Sequence, residues 1–150
     1  MNADSPAEPS RATRFAAIVL VLAAGVMTGA QLGKIASLIP WYREEIGLSL
    51  VVAGWLAAVL GLFVALAALP AGWMIDRLGL RRSILIGGAA LAVGGAALAL
   101  STSPAGIFLA RLVEASGYLV LCVALPAVLN AVSPMHWKGP VLAIWSGFVP

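Results

Sequence analysis

Four long apolar runs constrain this chain more than any other feature. The first, FAAIVLVLAAGVMTGAQLGKIASL, covers Phe15 to Leu38. The second runs from about Leu50 to Ile75, the third from about Ser83 to Leu100, and the fourth from about Pro104 to Val132. Crossing a bilayer takes about 20 apolar residues in helical form, because each backbone polar group must bond within its own segment. The apolar residues are continuous rather than alternating, which argues against a membrane β-barrel. The predicted fold class is therefore an all-α membrane protein, a transmembrane helix bundle. A content of 62% hydrophobic and 10% charged residues excludes an ordinary soluble domain.

Short polar stretches separate the runs. Residues 1–14, opening with the proline-containing MNADSPAEPSRA, read as a tail. Pro40 and WYREEIGLS follow the first span. STSPAG is a turn in which Ser103 suits the N-cap and Pro104 the first helical position. SPMHWKGP reads as a loop, with a fifth helix starting near Pro140. The first span is too long for a cleaved signal peptide and lacks a small-residue cleavage site. Cys122 is the sole cysteine, so no disulfide forms within the chain.

Basic residues set the expected orientation. With the N-terminus in the cytoplasm, Arg11, Arg14, Arg77, Arg81, Arg82 and Lys138 lie inside and only Arg43 lies outside. Trp41 and Tyr42 then mark the outer boundary, and Trp73 and Trp137 the inner one. The net charge of +3 reflects this placement and implies no nucleic-acid partner. Gly25, Gly29 and Gly33, with Gly54 and Ala58, form rows of small residues suited to close helix packing.

GWMIDRLGLRR, residues 72–82, concentrates four charges between the second and third spans. Asp76 stands at the end of one helix, where the partial charge is already negative. Arg81 and Arg82 stand at the start of the next, where it is positive. Each opposes its local dipole by about 0.3–1 kcal/mol when exposed. Asp76 therefore needs a favourable partner, either the arginines of the turn or a helix N-terminus elsewhere. Gly79 suits the left-handed residue that ends the second helix.

Gly72, Asp76, Arg77, Gly79, Arg81 and Arg82 resemble the G-x-x-x-D-R-x-G-[RK]-[RK] signature of the major facilitator superfamily, with Leu80 where a basic residue is usual. ARLVEASG, residues 110–117, is similar to that family's fourth-helix motif, with Glu114 in place of glutamine and Ala115 in place of glycine. QLGKIASLIPWYREEIGLSLVVAGWL and GPVLAIWSGFVP resemble the cyanate/nitroimidazole permease group. The resemblance implies a twelve-helix transporter of two six-helix halves, of which this chain is the first four helices and the start of a fifth. It implies a conformational gate at Gly72, Asp76, Arg77, Gly79, Arg81 and Arg82. There Asp76 engages the eleventh helix, in the missing C-terminal half.

Ionisable residues inside a span cost roughly 2.5–3.5 kcal/mol each at the membrane centre and mark function by default. Lys34, Arg111 and Glu114 qualify. Lys34 leans toward the membrane interior, since side chains tilt toward the helix N-terminus. It shares a polar stripe with Thr28 and Gln31. Arg111 and Glu114, three apart, suit either a structural ion pair or a cavity-facing group. Pro126 suits either a kink or a tolerated membrane proline. Asn130 and His136 read as interfacial.

In such folds the first helix of each three-helix repeat lines the path, here the first and fourth. Gln31, Lys34, Arg111 and Glu114 are thus the candidate cavity residues. Two cations against one anion favour a small anionic substrate.

The expected function is secondary active transport of a small solute by alternating access, with a proton as candidate coupling ion. A proton-coupled drug exporter is the alternative within the family, and a small membrane scaffold protein the alternative outside it. No catalytic residue, metal site or cofactor is expected, since no paired carboxylates, metal-ligand cluster or nucleophile–base pair occurs. The expected location is a bacterial-type inner membrane.

Overall fold

The structure, a computed structural model, describes residues 10–147. Five helices follow one another: α1 Arg11–Glu45, α2 Leu50–Leu78, α3 Leu80–Leu100, α4 Pro104–Val132 and α5 Met135–Ser146. The first four are long and apolar enough to cross a membrane. Of the tail read over 1–14, residues 1–9 lie outside the described residues, and Arg11 to Arg14 already form the first turn of α1.

Several boundaries differ from the expected ones. α1 does not stop before Pro40 but continues through it to Glu45. Proline removes one backbone bond, and the flanking turns carry the helix onward. The stop lies at Gly47, whose φ of 70° favours glycine. There the N–H groups of Ile46 and Leu48 both donate to the Tyr42 carbonyl, at 3.2 and 3.3 Å. α5 starts at Met135, directly after Pro134, so SPMHWKGP is helix rather than loop beyond its first two residues.

α2 and α3 are separated by Gly79 alone, at φ 80° and ψ 152°. This is not the left-handed helical cap expected there but a region open essentially to glycine only. α3 therefore starts at Leu80, three residues before Ser83, and Ser83 Oγ donates back to the Gly79 carbonyl at 3.0 Å. Ser103 caps α4 by accepting from the Gly106 N–H at 3.2 Å, with Pro104 at the first position. α4 stays helical through Pro126.

α4 is the hub. Its most apolar stretch is 56% buried, against 17%, 17% and 22% for α1, α2 and α3, which turn most of their apolar surface outward. Two clusters pin α1 to α4 at opposite ends. Ile18 packs with Leu121, Leu125, Leu129, Val141 and Trp145 at one end, and Ile35 and Tyr42 pack with Leu48, Leu56, Leu98 and Ile107 at the other. Trp41 is exposed and fits a boundary position, but Tyr42 is buried in that second cluster. Near the end of α1, Tyr42 thus contributes to the core, its ring edge-on to Trp41 at 5.3 Å.

The closest helix approach is α3 on α4. A methyl group on Gly117 would lie 2.5 Å from the Gly87 carbonyl oxygen and 2.5 Å from the Leu91 nitrogen. One on Gly94 would lie 2.6 Å from the Glu114 nitrogen. By contrast, nothing lies within 4 Å of such a methyl on Gly33 or Gly54. The tightest approach thus falls on Gly94 and Gly117, outside the row singled out from sequence, of which Gly25 is itself buried.

Candidate functional site

Lys34 on α1 and Glu114 on α4 stand about ten residues from the same end of the bundle, roughly 15 Å along each helix at 1.5 Å per residue. That shared depth lets three charges meet. Lys34 Nζ donates to Glu114 Oε1, and Arg111 Nη1 donates to Glu114 Oε2. Arg111 Nη2 donates to the Gln31 carbonyl at 3.2 Å, tying α4 back to α1. The Lys34 side chain is 31% exposed, while those of Arg111 and Glu114 are 1% and 0% exposed. The carboxylate thus sits between an enclosed guanidinium and a partly open ammonium.

Removing such charges from water is expensive unless each finds a partner. Here two cations share one anion, for a formal net charge of +1. Arg111 Nε and Gln31 Oε1 are buried without a hydrogen-bond partner among the described residues. Thr28, the third member of the polar stripe, is buried and spends its hydroxyl on the Ala24 carbonyl at 2.7 Å. The site can exchange one cation contact: an incoming anion can take the Lys34 ammonium while Glu114 stays paired with the buried Arg111.

Sequence reasoning paired Arg111 with Glu114 but not Lys34 with Glu114. The signal was available in the matching depth of opposite charges on two spans. It also missed α3, which forms the floor of the site through Gly94 and Gly95. A methyl group on Gly95 would lie 3.6 Å from Glu114 Oε1 and 3.8 Å from Lys34 Nζ. The signal for α3 was the spacing of Gly87 and Gly94, two turns apart on one helix face.

The α2–α3 turn gathers a second set of charges. Arg77 stacks its guanidinium over the Trp73 ring, 3.8 Å from the centroid, one turn back on α2. Arg77 therefore turns away from Asp76. Asp76, Arg81 and Arg82 are exposed, and Asp76 has no hydrogen-bond or ion-pair partner among the described residues. The arginines of the turn do not fold back onto it. Gly72 is half-buried, with nothing within 4 Å of a methyl built on it.

A cleft of about 620 Å³ lies at the same end as this turn, lined by Arg11, Arg14, Phe15, Ile18, Pro134, His136 and Trp137. It includes no residue of the charged triad.

Residues 16–150 match the sequence profile of the Major Facilitator Superfamily. The chain belongs to the major facilitator superfamily. The superfamily is one of membrane transport proteins, and the four helices long and apolar enough to cross a membrane fit it. Relatives of this superfamily member include the galactose-proton symporters of Escherichia coli strain K12 and Escherichia coli O6:H1. Each is 22% identical over 144 residues, covering 96% of this chain and 31% of the symporter. The chain thus spans about a third of the length of the curated relatives it matches. No solved structure matches it.

Proposed function

We propose that this chain forms part of a secondary transporter that moves a small anion by alternating access, with Lys34 as the anion's ligand. The observation that carries the reading is the triad: two cations and one carboxylate enclosed between α1 and α4, with only Lys34 partly open. Gln31, Arg111 and Glu114 complete the proposed cavity wall. The remainder of a twelve-helix fold supplies the opposite wall. The narrower likeness of the first, second and fifth helices to cyanate/nitroimidazole permeases agrees with an anionic substrate.

The α2–α3 turn is the proposed conformational gate. Asp76 sits exposed at a helix end of unfavourable polarity, which suits a latch to the N-terminus of a helix outside this chain. The distribution of six basic residues against one favours a cytoplasmic N-terminus and an inner-membrane location. Trp73 and Trp137, both exposed, suit the inner boundary.

A second reading is proton-coupled symport of an uncharged solute, favoured by the likeness to galactose-proton symporters. In it, Glu114 takes up the coupling proton and releases Lys34. Uptake assays on the full-length protein separate the two. Under the first reading, Lys34→Ala abolishes uptake of radiolabelled cyanate or acetate. Unchanged anion uptake, together with galactose uptake that acidifies the cell interior, would favour the second.

A further inference from the structure

We propose that the cleft between the first turns of α1 and the start of α5 holds an anionic phospholipid, its phosphate on Arg11 and Arg14 and its apolar part on Phe15. The inference uses no residue of the charged triad and goes beyond the transport reading.

The order of residues along α1 gives the cleft its polarity. Arg11, Arg14, Phe15 and Ile18 fall at i, i+3, i+4 and i+7, so they share one helix face. On that face charge comes first and apolar surface follows about one turn deeper. α1 has 35 residues, about 52 Å at 1.5 Å per residue, against a hydrocarbon core about 30 Å thick. Its first turn therefore stands in the headgroup layer. Phe15, 56% exposed, begins the apolar part, and Ile18, packed with Leu125, Leu129 and Trp145, closes the inner end.

The start of α5 forms the opposite wall. Pro134 opens that helix and supplies no side-chain cap. His136 and Trp137 follow, both exposed, with their rings edge-on at 6.2 Å. An imidazole and an indole N–H can each donate to a phosphate or ester oxygen, and tryptophan suits the depth where headgroups meet hydrocarbon. The cleft of about 620 Å³ falls within the roughly 300–1,000 Å³ of small-ligand sites. None of its lining residues is acidic. Arg11 is exposed and has no ion-pair partner among the described residues.

Charge complementarity therefore selects an anion, as basic pockets between membrane helices do for anionic headgroups. The apolar inner half selects an amphiphile over a free phosphate, which would use the outer half alone. Arg81 and Arg82 lie at the same end of the bundle but line no part of the cleft. They provide a control of equal charge.

Native mass spectrometry of the full-length protein, released from detergent with phosphatidylglycerol or phosphatidylcholine at equal concentration, tests the proposal. Phosphatidylglycerol is expected to be retained at least fivefold better. Arg11→Gln with Arg14→Gln should reduce that retention more than tenfold, about fivefold for each arginine, the worth of one basic residue near a charged surface. Arg81→Gln with Arg82→Gln should reduce it severalfold less. Should the first double variant not fold, Arg11→Gln alone replaces it, with a loss of about fivefold.

Equal retention of the two lipids, or equal losses in the two double variants, would overturn the proposal. So would full displacement of the lipid by an equal concentration of glycerol 3-phosphate, which would make the site one for a soluble anion. A preference that emerges only after residues 2–9 are deleted would assign the cleft to that segment, which carries Asp4 and Glu8, and would overturn the proposal as well.

Discussion

Gly94 on α3 lies so close to Glu114 on α4 that a single methyl group would sit 2.6 Å from the Glu114 backbone nitrogen. No side chain at position 94 is compatible with that distance. The backbone approach of α3 sets where the buried carboxylate stands, and hence which cations it reaches.

Gly94→Ala and Gly117→Ala are therefore expected to destabilise the full-length protein by about 1–3 kcal/mol, the usual range for overpacking. Gly33→Ala and Gly61→Ala, where nothing lies within 4 Å, should leave it unchanged or up to about 1 kcal/mol more stable, since alanine is the better helix former. Thermal unfolding in detergent, followed by the loss of monodisperse protein, measures the difference. Equal effects at all four positions would contradict the helix contact described here.

Within the triad the order of effects follows from enclosure. Glu114→Ala strands the buried Arg111 and should cost about 3–5 kcal/mol, as for one partner removed from a buried pair. Lys34→Ala leaves Glu114 still bonded to Arg111 and should cost less. Adding Lys34→Ala to Glu114→Ala should then cost less than the sum of the two. A larger loss for Lys34 than for Glu114, in the same unfolding assay, would refute the geometry.

Gly79 holds φ 80° and ψ 152°, a conformation barred to residues with a Cβ. Gly79→Ala should lower stability by about 1–3 kcal/mol, the cost of such backbone strain. The same substitution should disturb the register of Asp76 against Arg81. Comparison with Gly139→Ala, where nothing crowds the site and φ is not positive, provides the reference.

Topology is tested from outside the cell. A membrane-impermeant thiol reagent should label Glu44→Cys in intact cells and leave Arg81→Cys unlabelled until the cells are opened. The reverse pattern would invert the proposed orientation and move the α2–α3 turn to the other side of the membrane.

Some of this protein was readable along the chain. The four apolar runs stand out one by one, and the Ser103 cap with Pro104 behind it and the break at Gly79 depend on residues within one turn of each other. Pro40 shows how such local rules mislead. A lone proline was read as a stop, yet the helix runs on to the positive-φ Gly47. Pro134 and the helix behind it were misread for a similar reason: the polar and aromatic SPMHWKGP resembles a loop in composition but not in conformation.

The chain's own order of residues specified the class: apolar length admits only membrane helices, and the GWMIDRLGLRR turn points to the family. What it left open was the rotation of each helix about its axis. Apart from the Thr28, Gln31 and Lys34 stripe of the first span, the faces of these spans are mostly apolar, so little in the polarity says which side meets which neighbour, and each residue turns the helix by about 100°. The meeting of Lys34 with Glu114, 80 residues apart, depends on how α4 stands against α1, with α3 packed on α4 at Gly94 and Gly117. Close packing between distant segments, which no local rule encodes, placed the charges together.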